Sequence, residues 1–273
     1  MYKLVFIDID GTLLTSQHTI SGGTHAAIRR ITELNNMMVV LTTARPPQAV
    51  ERLYNQLNLQ TPVVCFNGAL VLEILHHNSY ENILQSITID PGLLPFVNNS
   101  LAANDVNISY YKSGEWFSDR DDNWIKQEVE ITGTKATILN MQSQIENWIT
   151  KKEGPHKVLL MGEPNQIDSI EPVFKNMIGD QLNIFKSKPT YLEVMNSLAS
   201  KTTAIKFLME KYSVAREEVI AIGDNYNDIE MLQLAGLGIA MENAPAAVKA
   251  HADFITFDND SEGIQAALDR FVK

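Results

Sequence analysis

Two aspartates, Asp8 and Asp10, stand one residue apart at the end of the apolar run Leu4-Val5-Phe6-Ile7, and Gly11 follows them. Side chains alternate along a strand, so the two carboxylates point the same way; if Asp10 already lies beyond the strand, Gly11 lets the chain turn there. Like carboxylates this close stay ionised together only with a cation between them, or they share a proton. Three later stretches supply what such a pair lacks. Thr42 and Thr43 close a second apolar run, and a threonine hydroxyl at a strand end can donate to a phosphoryl oxygen. Lys201 follows Ser200, a helix-capping residue, and so brings a point charge beside the positive end of a helix. Gly223-Asp224-Asn225-Tyr226-Asn227-Asp228 closes a further apolar run with two carboxylates and two carboxamides. Three aspartates from two adjacent strand ends suit one hard divalent ion such as Mg2+, which takes carboxylate, water and phosphate oxygens. Asn227, at a helix start, can anchor a neighbouring side chain or the phosphate itself. Each part alone has a plainer reading: an acidic turn, a solvated lysine, a threonine cap on the helix that Pro46 and Pro47 open.

Such residues need the carboxyl edge of one sheet. Short apolar runs at 4–7, 38–41 and 63–66 alternate with helical stripes. The first stripe is Ala27, Ile28, Ile31 and Leu34 after the cap Ser21, and the second is Val50, Leu53 and Leu57. This β-α-β-α-β order implies a parallel sheet with right-handed crossovers, where ligands bind beyond the carboxyl ends of the strands. From about residue 84 the texture changes to alternating stretches, among them 85–89 and 106–111, with a hairpin at Lys112-Ser113-Gly114 and all three tryptophans. The α/β texture returns with 191–195, a helix from Ser200 to Tyr212, the run Val219-Ile220-Ala221-Ile222, short strands at 238–240 and 254–255, and a closing helix over 262–271. The fold class expected is therefore α/β. A doubly wound, Rossmann-like parallel-sheet core occupies 1–83 and 190–273, and an α+β domain is inserted over 84–189.

The chain has 273 residues, 45% of them hydrophobic, and a net charge of −11. That charge argues against unaided binding to nucleic acid or an anionic membrane, and leaves room for a small phosphorylated metabolite whose site carries a metal ion. The one cysteine, Cys65, lies in a strand-like run and reads as a buried structural thiol. With no disulfide possible and no signal-peptide-like segment, the expected location is the cytoplasm. A monomer or small homo-oligomer is expected. None of the six histidines falls among the strand-end residues, and His76 and His77 read as solvated.

Asp8-Ile9-Asp10-Gly11-Thr12-Leu13, Thr43-Ala44-Arg45, Lys201 and Gly223-Asp224-Asn225-Tyr226-Asn227-Asp228 resemble, in order and approximate spacing, the four signature motifs of the haloacid dehalogenase-like phosphatases. The insertion after the third strand resembles the large α+β cap of the Cof-type, sugar-phosphatase-like branch. Two departures stand out: Ala44 where the family commonly has glycine, and no glycine in the stretch 196–200 before Lys201.

The resemblance implies a two-step hydrolysis. Asp8 attacks phosphorus and becomes an aspartyl phosphate, while Asp10 protonates the leaving alcohol and then takes a proton from water. It implies Mg2+ held by the Asp8 side chain, the Asp10 carbonyl and Asp224. The transferring phosphoryl would be bound by Thr43 and Lys201 with the backbone at Ile9 and Ala44. Asn227 would contact the phosphate or position Lys201, and Asn225 and Asp228 would support the metal loop. Arg45 and Asn67-Gly68 either touch substrate or serve a local ion pair and a turn. The expected function is Mg2+-dependent hydrolysis of small organophosphates, sugar phosphates or phosphorylated cofactors. The alternatives are a phosphomutase, a phosphoacceptor signalling module and a catalytically silent binding protein.

Overall fold

The computed structural model describes residues 1–33, 36–73, 82–99 and 106–272; Leu34, His76 and His77 lie outside them. The chain opens with β1 (Leu4–Asp8), α1 (Gly22–Glu33), β2 (Met38–Thr42), α2 (Pro47–Gln56), β3 (Val63–Cys65), β4 (Leu70–Leu72) and β5 (Ile83–Ser86). A middle stretch follows: α3 (Leu94–Asn99), β6 (Asn107–Lys112), β7 (Glu115–Ser118), α4 (Asn123–Thr132), β8 (Thr137–Ile138), α5 (Met141–Lys151), β9 (Lys157–Met161), α6 (Pro164–Ile178), β10 (Leu182–Lys188) and β11 (Tyr191–Asn196). It closes with α7 (Lys201–Lys211), β12 (Val219–Gly223), α8 (Ile229–Leu234), β13 (Leu237–Ala240), α9 (Ala246–Lys249), β14 (Phe254–Ile255) and α10 (Gly263–Phe271).

The first sheet has the order β14-β13-β12-β1-β2-β3-β4-β5, parallel from β14 to β3 and antiparallel at β4 and β5. Its apolar strands are covered on both faces, which explains runs without polar alternation. Val5 and Ile7 join one core with Ile28 of α1, Val50 of α2 and Leu268 of α10. Leu4 and Phe6 join the other with Ile205 and Leu208 of α7 and Leu232 of α8. Ser21 caps α1 as expected, accepting from the Thr24 amide at 3.2 Å, and Ser200 caps α7, accepting from the Thr203 amide at 3.0 Å. β1 lies between β12 and β2, so the sequence-distant acidic ends of β1 and β12 become neighbours.

The second sheet, β10-β11-β9-β6-β7-β8, is antiparallel apart from the β7–β8 pair. Alternation along β9 divides its faces. Val158 and Leu160 pack with Leu94 of α3, Trp148 of α5 and Phe174 of α6, whereas Leu159 and Met161 join the cluster that contains Phe66 of the first unit. The face of this sheet away from α3, α5 and α6 therefore turns toward the first sheet. β5 runs across the expected limit at 84, and β11 lies wholly past the limit at 189. β5 pairs with β4, so the chain leaves the first sheet only after Ser86. β11 does not return to the first sheet: it forms a hairpin with β10 and pairs on its other side with β9. An apolar run such as 191–195 looks the same in either sheet; partner strands decide its place. No helix among the described residues is long and apolar enough to cross a membrane.

Candidate active site

The carboxyl end of β1 delivers Asp8 into a buried position, 6% exposed. The chain then turns through 9–13 with Gly11 at φ +83, and a Cβ there would fall 2.4 Å from Asp224 Oδ2. Only glycine lets this turn pass under the neighbouring strand end. Thr12 Oγ1 donates to Asp224 Oδ1 at 2.7 Å, and Asn243 Nδ2 donates to the Gly11 carbonyl at 2.9 Å, so the β1 and β12 loops brace each other.

Lys201 is the first residue of α7 and only 2% exposed, so the solvated reading fails. Its ammonium donates to Asp8 Oδ1 and, at 2.6 Å, to Asp228 Oδ1. The other oxygen of Asp228 accepts from the backbone amides of Asp224 and Asn225 at 3.0 and 2.9 Å. Asp228 thus folds the β12 loop and orients Lys201 with both oxygens committed. Asn225 caps the same turn, accepting from the Tyr226 amide at 2.8 Å. Carboxylate oxygens of Asp8, Asp224 and Asp228 lie within 4.8 Å of one another. Burial first, and the Asp228 and Asp224 charges beside it, push Asp8 well above the usual carboxylate range against the pull of Lys201. Burial likewise raises Asp224 to about 6, opposed by the Thr12 hydrogen bond and helped by the Asp228 and Asp10 charges. Burial also opposes the Lys201 charge, but Asp8 and Asp228 together outweigh it and hold the ammonium above its ordinary range. Three carboxylates around one ammonium leave an excess of negative charge in a buried, all-oxygen donor set. That is the composition a hard divalent cation fits.

Asp10 stands apart from this cluster. Its half-exposed carboxylate is held by the Arg45 fork, with Nε to Oδ2 at 2.8 Å and Nη2 to Oδ1 at 2.5 Å. Of the two readings of Arg45, the ion pair is the one observed. Thr43 is buried, and its Oγ1 accepts from the Arg45 amide at 3.1 Å. Thr42 instead turns its hydroxyl toward Met231 on the far face and leaves the site. Asn67 Oδ1 accepts from Asn227 Nδ2 at 3.0 Å, which joins the β3 turn to the β12 loop. A Cβ on Gly68, at φ +95, would meet the Ser200 carbonyl at 2.0 Å. Asn67-Gly68 is therefore more than a turn: it seats the first residues of α7. Ile9 is fully buried behind Asp8, and Ala44 borders a cavity with Asp10 and Arg45.

Two cavities flank the cluster. One of about 310 Å3 reaches Asn67, Lys201 and Asn227, and one of about 350 Å3 reaches Asp10, Ala44 and Arg45. A larger groove, about 510 Å3, lies at the opposite ends of the strands and includes none of the strand-end residues. Sequence reasoning missed Thr12 and Asn243 as partners of Asp224, and it missed the charged residues that the second sheet turns toward Asp10. For Asn243 no sequence signal exists. Glu193 did carry one: it interrupts the apolar run of β11, and a charge inside such a run is expensive unless used, whereas Lys157 opens its strand and gives no such signal.

Buried carboxylates, a bridging lysine and a strand-end hydroxyl on one edge of a doubly wound sheet define an enzyme built to handle phosphoryl groups. Residues 5–268 match the haloacid dehalogenase-like hydrolase family, and the chain belongs to it. Over 271 residues it is 35% identical to a Haemophilus influenzae protein named a phosphatase, with 98% of each chain covered. It is 28% identical over 273 residues to the 5-amino-6-(5-phospho-D-ribitylamino)uracil phosphatase YitU of Bacillus subtilis, covering 98% of this chain and 97% of that one. The crystal structure of TM0651 from Thermotoga maritima superposes with a TM-score of 0.89 at 27% identity, covering 100% of this chain and 98% of that one. The fold, inserted α+β unit included, is that of the Cof-type members, and the chain is a phosphatase of this family.

Proposed function

We propose that this chain hydrolyses small phosphate monoesters with Mg2+ through an aspartyl phosphate on Asp8. The carrying observation is Asp8 at the strand end, held by Lys201 and flanked by Asp224. Asp8, Asp224 and the Asp10 carbonyl would hold the ion; Asp228 has both oxygens occupied and serves as their support. The ion, when bound, neutralises charge on the phosphoryl oxygens and on the carboxylates around it. Asp8 Oδ attacks phosphorus and the ester oxygen departs on the opposite side. Asp10, which faces the cavity and not the cluster, gives that oxygen its proton and later takes one from the attacking water. Lys201, Thr43 and the Ile9 and Ala44 amides bind the phosphoryl oxygens, and Asn227, tied to Asn67, holds the loop beside Lys201.

In this reading the first sheet with its helices is a core, and the second sheet with its helices is a cap that shapes the leaving-group side. The crossings fall between β5 and α3 and between β11 and α7. The substrate class is a sugar phosphate or phosphorylated cofactor; the phosphoribityl substrate in the name of the Bacillus relative supports it. Purified protein should release inorganic phosphate from para-nitrophenyl phosphate with Mg2+, lose that release in EDTA, and lose it in Asp8→Asn. Full activity in Asp8→Asn would remove the nucleophile assignment. Isomerisation of a sugar phosphate with little free phosphate would mark a mutase instead.

A further inference from the structure

In-line displacement at phosphorus sends the leaving oxygen away from Asp8 and toward Asp10, so the leaving group must extend into the cavity that Asp10 borders. The opposite wall of that cavity comes from one face of the second sheet and from α4. In the β9–β11 pairing, Lys157 lies opposite Met195 and Glu193 opposite Leu159, which puts Lys157, Leu159, Tyr191 and Glu193 on that face. Lys157, Glu193 and Glu128 are all buried, 6 to 7% exposed.

This wall is polar but incompletely satisfied. Lys157 Nζ and Glu193 Oε2 stand 3.5 Å apart, long for a charged hydrogen bond, and Glu193 Oε2 makes no hydrogen bond among the described residues. Lys157 Nζ lies 5.0 Å from the Tyr111 ring centroid. Beside the pair, Tyr191 donates to Glu128 Oε2 at 2.8 Å and accepts from Gln127 at 3.1 Å. Burying a charged pair this loosely is unfavourable unless further hydrogen bonds complete it. A ligand entering from the Asp10 side can complete it.

We propose that Lys157 and Glu193, with Glu128 beside them, are specificity-determining residues that select a compact, uncharged, hydroxyl-rich leaving group over one that carries a second phosphate. The proposal rests on the phosphatase reading of Asp8 and Asp10. A hydroxyl donates to Glu193 Oε2 and accepts from Lys157, so it matches both halves of the pair. A second phosphate would meet a wall without excess positive charge, because Asp10, Glu128 and Glu193 balance Arg45, Lys157 and Lys188 around the cavity, and Arg45 is already forked onto Asp10. An apolar ring would leave the pair unpaired, which is how a polar site rejects a ligand without hydroxyls. A cavity of about 350 Å3 sits at the small end of ligand sites.

The test compares kcat/KM, with Mg2+, on a hexose monophosphate, the bisphosphate of the same hexose and para-nitrophenyl phosphate, for the wild type, Glu193→Gln and Lys157→Met. The wild type should favour the monophosphate over the bisphosphate by about tenfold or more, and each substitution should lower the ratio of hexose monophosphate to aryl phosphate by about tenfold. A wild type that favours the bisphosphate, or variants that leave the ratio in place, would overturn the proposal. The wild-type comparison decides even where a substitution prevents folding. Failure of the underlying reading has a different signature: no phosphate is released from any of the three, or release survives in Asp8→Asn, and the proposal then falls with it.

Discussion

Lys201 holds two buried carboxylates at once, and its removal tests what the site is made of. In Lys201→Met, Asp8 and Asp228 lose their shared cation while Asp224 remains close by. Breaking a buried ion pair from one side leaves charge uncompensated, a loss of about 3–5 kcal/mol. Urea unfolding in EDTA should show that loss. Millimolar Mg2+ should recover part of it, because a ligand bound only to the native state stabilises by mass action. Turnover should fall below detection with or without the ion. A variant as stable as the wild type in EDTA would mean that Asp8 and Asp228 do not carry the charges assigned to them. The contrast with Arg45 is instructive: its pair with Asp10 is about half exposed on the Asp10 side, where water screens the attraction. That pair directs Asp10 toward the cavity and adds little stability.

Among the elements, the segment 66–68 does the most with the least sequence. Phe66, Asn67 and Gly68 have φ of +49, +49 and +95, three successive residues in the left-handed region. Such backbone is unfavourable for L residues by about 1–2 kcal/mol each, asparagine being among the more tolerant. It holds here because α7 packs against it and Asn227 bonds Asn67. Gly68→Ala combines a disfavoured φ with a Cβ driven into the Ser200 carbonyl. The expected result is a loss of about 2 kcal/mol or more in chemical unfolding, with kcat falling further than the folded fraction, because α7 moves and carries Lys201 with it. An alanine variant with wild-type kcat would show that α7 does not depend on this turn.

The segment also marks where the sequence is legible. The parallel strands and their acidic ends could be read from apolar runs and caps, since both are local signals: Ser21 and Ser200 both cap the helices expected of them. The Asn67-Gly68 turn was visible, but its burial against Ser200 was not, because close approach is set by elements far apart in sequence. The same reason hid the place of β11. The chemistry of Asp8, Asp224 and Lys201 needed only strand ends; the opposite wall needed the pairing of β9 with β11.

The two sheets are joined at His156, and its titration should be felt by the whole molecule. It precedes β9 in the second unit, yet its ring stacks on Phe66 at 5.6 Å and its Nε2 pairs with Ser86 Oγ of β5 at 3.0 Å. Its Nδ1 accepts from the Ser113 amide of the β6–β7 hairpin at 3.0 Å. Burial, with Lys112 nearby, depresses it from an ordinary 6.5 to about 4. The folded protein therefore keeps a neutral ring at pH values where the unfolded chain has already taken a proton. Stability from this group is complete above about 6.5 and is lost as pH falls toward 4, by about 1.4 kcal/mol per unit across that window. Carboxylates titrate over the same range, so the measurement is a difference: chemical unfolding at pH 7 and pH 4.5 for the wild type and for His156→Gln. The glutamine variant should start less stable at pH 7, having lost the stacked ring, and should lose less than the wild type on acidification. Equal losses in the two proteins would show that His156 titrates as it does in the unfolded chain, and that the junction between the sheets is open to water.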